Sequence, residues 1–107
     1  MPNHDVFIQE LKTGITSPDA ARRESAADEV TDVHRGLTAE QIYELASSLV
    51  SARLNETELS CQESQLHALC ELQAWHEIDE EILSPLSSVR LTSEQSSQAE
   101  YLADLLS

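Results

Sequence analysis

Only two glycines and three prolines occur among the 107 residues, so the chain has few of the breaks that separate strands and tight turns. Runs of β-branched residues, the usual mark of strands, are absent too. With so little glycine there is no loop to cradle a phosphate and no G-x-S-x-G nucleophile elbow. No stretch approaches the ~18 consecutive apolar residues of a membrane span. The opening MPNHDVFIQELK lacks the basic end and apolar run of a secretory signal, so a cytoplasmic location is expected.

Positive charge is scarce as well. Six Lys and Arg, with Lys12 the only lysine, face 20 Asp and Glu, for a formal charge of −14. Such a field repels nucleic acid and anionic membrane surfaces and speeds encounter with basic proteins. It also serves solubility or life at high salt. Apolar residues make up 40% of the chain, which excludes a disordered polyelectrolyte and provides for one modest core. Cys61 and Cys70 are nine positions apart, a rise of about 13 Å on one helix, too far for a disulfide. They read as reduced, small apolar residues.

Helical spacing fills the space that the missing signals leave. Asp5 is a candidate cap for a first helix carrying Phe7, Ile8, Leu11 and Ile15. In TSPDAARRE, Ser17 is the expected N-cap, Pro18 the first helical residue and Asp19 an acid in the first turn, with Gly36 closing the helix. Thr38 and Gln41 form a capping box for a third helix that buries Ile42, Tyr43, Ala46, Leu49 and Val50. A fourth starts from Asn55 or Thr57, with Leu59, Leu66, Leu69 and Leu72 inward. A fifth is shortened by Pro85. A sixth, from Thr92 or Ser93, packs Leu102, Leu105 and Leu106. The chain is expected to be all-α, one domain over residues 1–107.

The six helices repeat in pairs. IYELASSLV superimposes on ILSPLSSVR with a shift of 40, and ESAADEVTDV on ESQLHALCEL with a shift of 39. Phe7, Ile8 and Leu11 align with Ile42, Tyr43 and Ala46 at a shift of 35. A two-helix period of that length is the signature of an α-α superhelix, here of about three hairpins. The segment TSPDAARRESAADEVTDV resembles the turn and second helix of a HEAT repeat: Asp19 in the turn, Arg22 or Arg23, paired Ala26 and Ala27, then Val30 and Val33. The second pair keeps the aliphatic spacing but loses the aspartate and arginine. The resemblance implies a HEAT-like recognition scaffold and by itself no particular duty.

Candidate chemistry is thin. Glu63, His67 and Glu71 stand four apart on one helix face, as metal ligands can, but no HExxH motif accompanies them and a solvated face is the simpler reading. His76 and Glu80 are equally ambiguous. Neither cysteine has a basic neighbour to activate it. No catalytic residue, metal or cofactor is expected, and the chain does not read as an enzyme.

What remains is RESAADEVTDVHRG, where Glu24, Asp28 and Asp32 form an acidic row. The repeat places Glu24 over Glu63, Asp28 over His67 and Asp32 over Glu71, so a stack would join two columns on one wall. Asp79, Glu80 and Glu81 supply a second acidic edge, with Tyr43 and Trp75 as apolar contacts. In size, charge and architecture the chain is similar to immunity proteins of bacterial toxin systems, including contact-dependent growth inhibition. The resemblance implies stoichiometric inhibition of a cognate, basic toxin domain, such as a nuclease, by an acidic surface that imitates phosphate. A generic adaptor docking a peptide or subunit is the alternative, and a metal- or pH-responsive regulator built on His67 a third.

Overall fold

The computed structural model describes residues 4–107, with side chains from Val6 onward. Among these residues there is no strand. The helices are α1 (His4–Ile15), α2 (Ala20–Val33), α3 (Ala39–Asn55), α4 (Leu59–Trp75), α5 (Glu80–Leu83) and α6 (Ala99–Leu106). Short 3-10 turns come after α2 and α5, and a third, Ser93–Gln98, leads into α6. Asp5, the expected cap of α1, lies inside the helix, which already begins at His4, and its side chain is outside the described residues.

The remaining helix starts show which caps the chain uses. Thr38 and Gln41 make the expected capping box on α3, with Gln41 N–H on Thr38 Oγ1 at 3.1 Å and Thr38 N–H on Gln41 Oε1 at 2.9 Å. At α2 the cap is Asp19, whose Oδ1 accepts the Ala21 N–H at 3.2 Å. Ser17 is not the cap because its hydroxyl accepts the Asp19 N–H, closing a turn around Pro18 before the helix begins. At α4 neither Asn55 nor Thr57 caps, because α3 runs through Asn55 and Glu58 occupies the cap position without a side-chain bond. Gly36 ends a 3-10 turn with no left-handed residue, so its lack of a side chain is not used to reverse the chain.

The helices pack in sequence order. α1 lies on α2, α3 on α4, and α5 on α6; α1 packs beside α3 and α3 beside α5, while α4 sits between α2 and α6. Two layers result, one of odd-numbered and one of even-numbered helices, in a slab 47 × 30 × 19 Å. The even layer is parallel. Cys61 Sγ donates to Ala20 O at the starts of α4 and α2, and His34 meets His76 at their ends. Along the other flank of α4, Cys70 reaches Tyr101 O and Gln73 reaches Leu105 O.

The core runs between the layers. Ile8, Leu11 and Ile15 from α1, Ile42, Leu45 and Leu49 from α3, and Leu66, Leu69 and Leu72 from α4 are almost completely buried. α2 contributes only Ala26, Ala27 and Val30, small residues that allow close approach. Gly14 is the other half of that contact, since a Cβ on it would stand 2.7 Å from Ala26 Cβ. Three expected core residues are exposed. Tyr43 points off the Ile42–Ala46–Leu49 stripe, Leu59 is the first residue of α4, and Leu106 is the last of α6.

A chain of buried polar groups ties the helices together at the end where the even-numbered helices begin. Arg23 Nε and Nη2 donate to the two Glu56 oxygens at 2.8 Å each, and Arg23 Nη1 donates to Ser17 O. Glu56, 2% exposed in its side chain, also accepts from the Thr57 and Glu58 amides and from Gln65 Nε2. Gln62 donates to Glu56 O and accepts from Gln95 and Gln98; Gln98 Oε1 in turn accepts from Arg53. Burial alone would raise the Glu56 pKa, but the Arg23 bonds, the Glu58 amide and Gln65 prevail and hold it at about 2.

The packing distinguishes the two glycines. Gly14→Ala forces α1 from α2 and destabilises by about 1–3 kcal/mol, whereas Gly36→Ala, which meets nothing within 4 Å, is neutral or slightly stabilising; urea midpoints check both. For Glu56 the folded pKa lies below its ordinary value of 4.5. The pair's stabilisation is therefore complete above pH 4.5 and fades as pH falls toward 2. Glu56→Gln costs about 3 kcal/mol at pH 7 and flattens the acid limb of stability against pH, while adding Arg23→Met recovers part of the loss.

Candidate functional site

The parallel even layer brings the two columns onto one broad surface. On α2, Glu24, Asp28 and Asp32 line a single shallow depression together with Ala21, Ser25 and Glu29. Glu29 falls outside the four-residue row; it is one position beyond Asp28, in the adjacent column of the helix surface. No ion pair engages any of these four carboxylates among the described residues. Each like-charged i,i+4 pair costs a few tenths of a kcal/mol.

The α4 column is less uniform. Glu63 accepts a hydrogen bond from Ser97 Oγ and so leans toward α6. His67 is exposed, its ring 6.0 Å from that of Tyr101. Glu71 leans the other way, its Oε2 3.8 Å from His34 Nε2 beside α2. A spacing of four advances about 40° around a helix, so the column drifts from one flank of α4 to the other. Among the described residues no three His, Cys, Asp or Glu stand together as a metal site.

Asp79, Glu80 and Glu81 do not form one edge. Asp79 and Glu81 border a groove between α3 and α5, with Tyr43, while Glu80 faces Gln73 and Leu105 on the α4–α6 side. Consecutive residues of a helix diverge by about 100°, and α5 is one turn long. Tyr43 therefore belongs to the odd layer, away from the acidic columns.

At the far end of the wall the structure assembles a cluster that the sequence spacing conceals. His34 is 1% exposed, with Nδ1 3.0 Å from His76 Nε2, so one ring donates and the other accepts. The Arg35 guanidinium stands 3.8 Å above the Trp75 ring, an exposed cation–π pair. His76 is thus engaged with His34. The only sign in the sequence is the helix-end position of both segments.

Both thiols are free. Burial pushes both pKa values up, Cys70 to about 11, with nearby carboxylates adding to the effect, so neither is an activated nucleophile. No helix among the described residues is long and apolar enough to cross a membrane.

The chain matches no protein-family model, no curated protein and no solved structure.

Buried His34 makes stability pH-dependent. Burial, then His76, and Arg35 more weakly, lower the His34 pKa below 6.5, against an opposing pull from Glu71. Folded His34 therefore binds its proton less readily than in the unfolded chain. The stability that comes from keeping His34 neutral is present above pH 6.5 and is lost as pH falls from there through the lowered folded value. Urea midpoints fall from pH 7.5 to 5.5, and Trp75 emission shifts over the same range; His34→Gln diminishes both responses.

Proposed function

We propose that this chain is a stoichiometric inhibitor of a basic protein, an immunity protein in a bacterial toxin system, built as a HEAT-like stack and working in the cytoplasm. One observation carries the reading: α2 and α4 lie parallel and in contact, so the acidic columns of Glu24, Asp28, Asp32 and Glu63, Glu71 share one wall. The α2 carboxylates, which have no ion-pair partner among the described residues, repel one another in the free protein. A partner's Lys and Arg relieve that repulsion and gain charge-assisted hydrogen bonds. Spaced carboxylates on a rigid wall can occupy sites where the partner would hold phosphates.

The wall also fits the kinetics such an inhibitor needs. A single-sign field steers encounter and raises the association rate well above the unsteered range of about 10⁵–10⁶ M⁻¹s⁻¹. The exposed Trp75, 55% accessible under Arg35, lies at the end of the wall as an apolar anchor. Nothing in this mechanism calls on a nucleophile, a metal or a cofactor.

The test is to purify the chain with the protein encoded beside its gene. A 1:1 complex is expected, with an association rate that falls steeply between 50 and 500 mM salt. The triple variant Glu24→Gln, Asp28→Asn, Asp32→Asn slows association about 10-fold or more while leaving the urea midpoint at or above that of the parent. A complex indifferent to salt and to the triple variant would move the chain to the adaptor class.

A further inference from the structure

The odd layer carries a second surface that the acidic wall does not involve. Between α3 and α5 runs a groove of about 330 Å³, at the small end of the range for ligand pockets, with room for one or two side chains. Tyr43, Leu54, Ile82 and Pro85 give it apolar walls, and Asp79 and Glu81 stand at its border. Tyr43 and Leu54 are 54% and 41% exposed, two large apolar side chains left in water on one groove.

The charge beside this groove is uncommitted. An aspartate at a helix start ordinarily turns its carboxylate onto the second or third amide. Asp79 occupies that position for α5 yet makes no side-chain cap bond, and it meets Ile82 only through its carbonyl. Neither Asp79 nor Glu81 has an ion-pair partner among the described residues. The residues lining the groove include no Lys or Arg. Of the odd-layer cations, Lys12 is held 3.7 Å from Glu44 and Arg53 is buried against Gln98.

We propose that the α3–α5 groove docks a short basic-apolar segment of a protein partner, seating aliphatic side chains over Ser47 and Val50, on the floor that runs from Tyr43 to Leu54, and an adjacent arginine against Asp79 and Glu81. Charge complementarity selects the occupant. Arginine suits the site better than lysine because its planar guanidinium can lie on the Tyr43 face while forking onto a carboxylate. An acidic or purely aliphatic segment leaves both carboxylates unrelieved. The surface is on the opposite layer from the inhibitor wall, so the inference holds whether or not the chain neutralises a toxin.

The experiment uses the full chain, labelled with ¹⁵N, and the synthetic peptide Gly-Leu-Arg-Leu-Arg-Leu-Gly as probe. Saturable binding is expected, with amide shifts concentrated at residues 43–54 and 79–85. Tyr43→Ala and the pair Asp79→Asn, Glu81→Gln each weaken it about 10-fold; all three side chains are exposed, and unchanged far-UV spectra confirm the fold. Replacing the peptide's arginines by lysine weakens binding less than replacing them by glutamate, which abolishes it. Shifts confined to α2 and α4 would show a non-specific cation effect and overturn the proposal, as would absence of binding.

Discussion

The bidentate pair between Arg23 and Glu56 is the constraint from which the rest of the architecture hangs. It joins the first turn of α2 to the segment between α3 and α4, at 2.8 Å on both arms. A buried carboxylate is costly unless its lone pairs are filled. Here two backbone amides and Gln65 complete the shell, so the charge is not merely tolerated but fixed in one orientation. Arg53, buried a turn away, feels the same negative charge. One acid thus balances two arginines, and the glutamines of α4 and the turn before α6 extend the string to the third hairpin.

That string explains why α2 can be so poor in core residues. It buries two alanines and one valine, roughly half the apolar surface a leucine-bearing helix would contribute. The close approach permitted by Gly14 and Ala26 adds dispersion contacts but little area. Direction comes from the ends: Arg23 on Glu56 and Cys61 on Ala20 O at the start, His34 with His76 at the finish. Polar clamps set α2 in register on α4, and the register is what lays the acidic columns side by side.

Much of the fold could be read from local signals. Apolar spacing located the helices, and the Thr38–Gln41 box was unambiguous because both partners lie within one turn. The interruption at Pro85 comes from a missing N–H. Interactions between distant segments left no such mark. Glu56 looked like any other of 20 acids, and only its meeting with Arg23, 33 residues away, makes it structural. The His34–His76 contact spans 42 residues and obeys no periodicity. The acidic columns were legible as rows, since i,i+4 spacing is local, but the drift of Glu63 and Glu71 to opposite flanks depends on which neighbours α4 has on each side.

Salt separates the two electrostatic systems of this chain. The exposed row on α2 is screened at a Debye length of about 10 Å in 0.1 M salt, and its self-repulsion weakens accordingly. The Arg23–Glu56 pair, 18% and 2% exposed, is shielded far less. Added salt therefore relieves the strain on the wall while the clamp beneath it persists. On the proposed function, the same screening weakens the long-range attraction toward a basic partner. Because the acidic row is exposed and the clamp is buried, added salt steadies the fold while it weakens the association proposed for the wall.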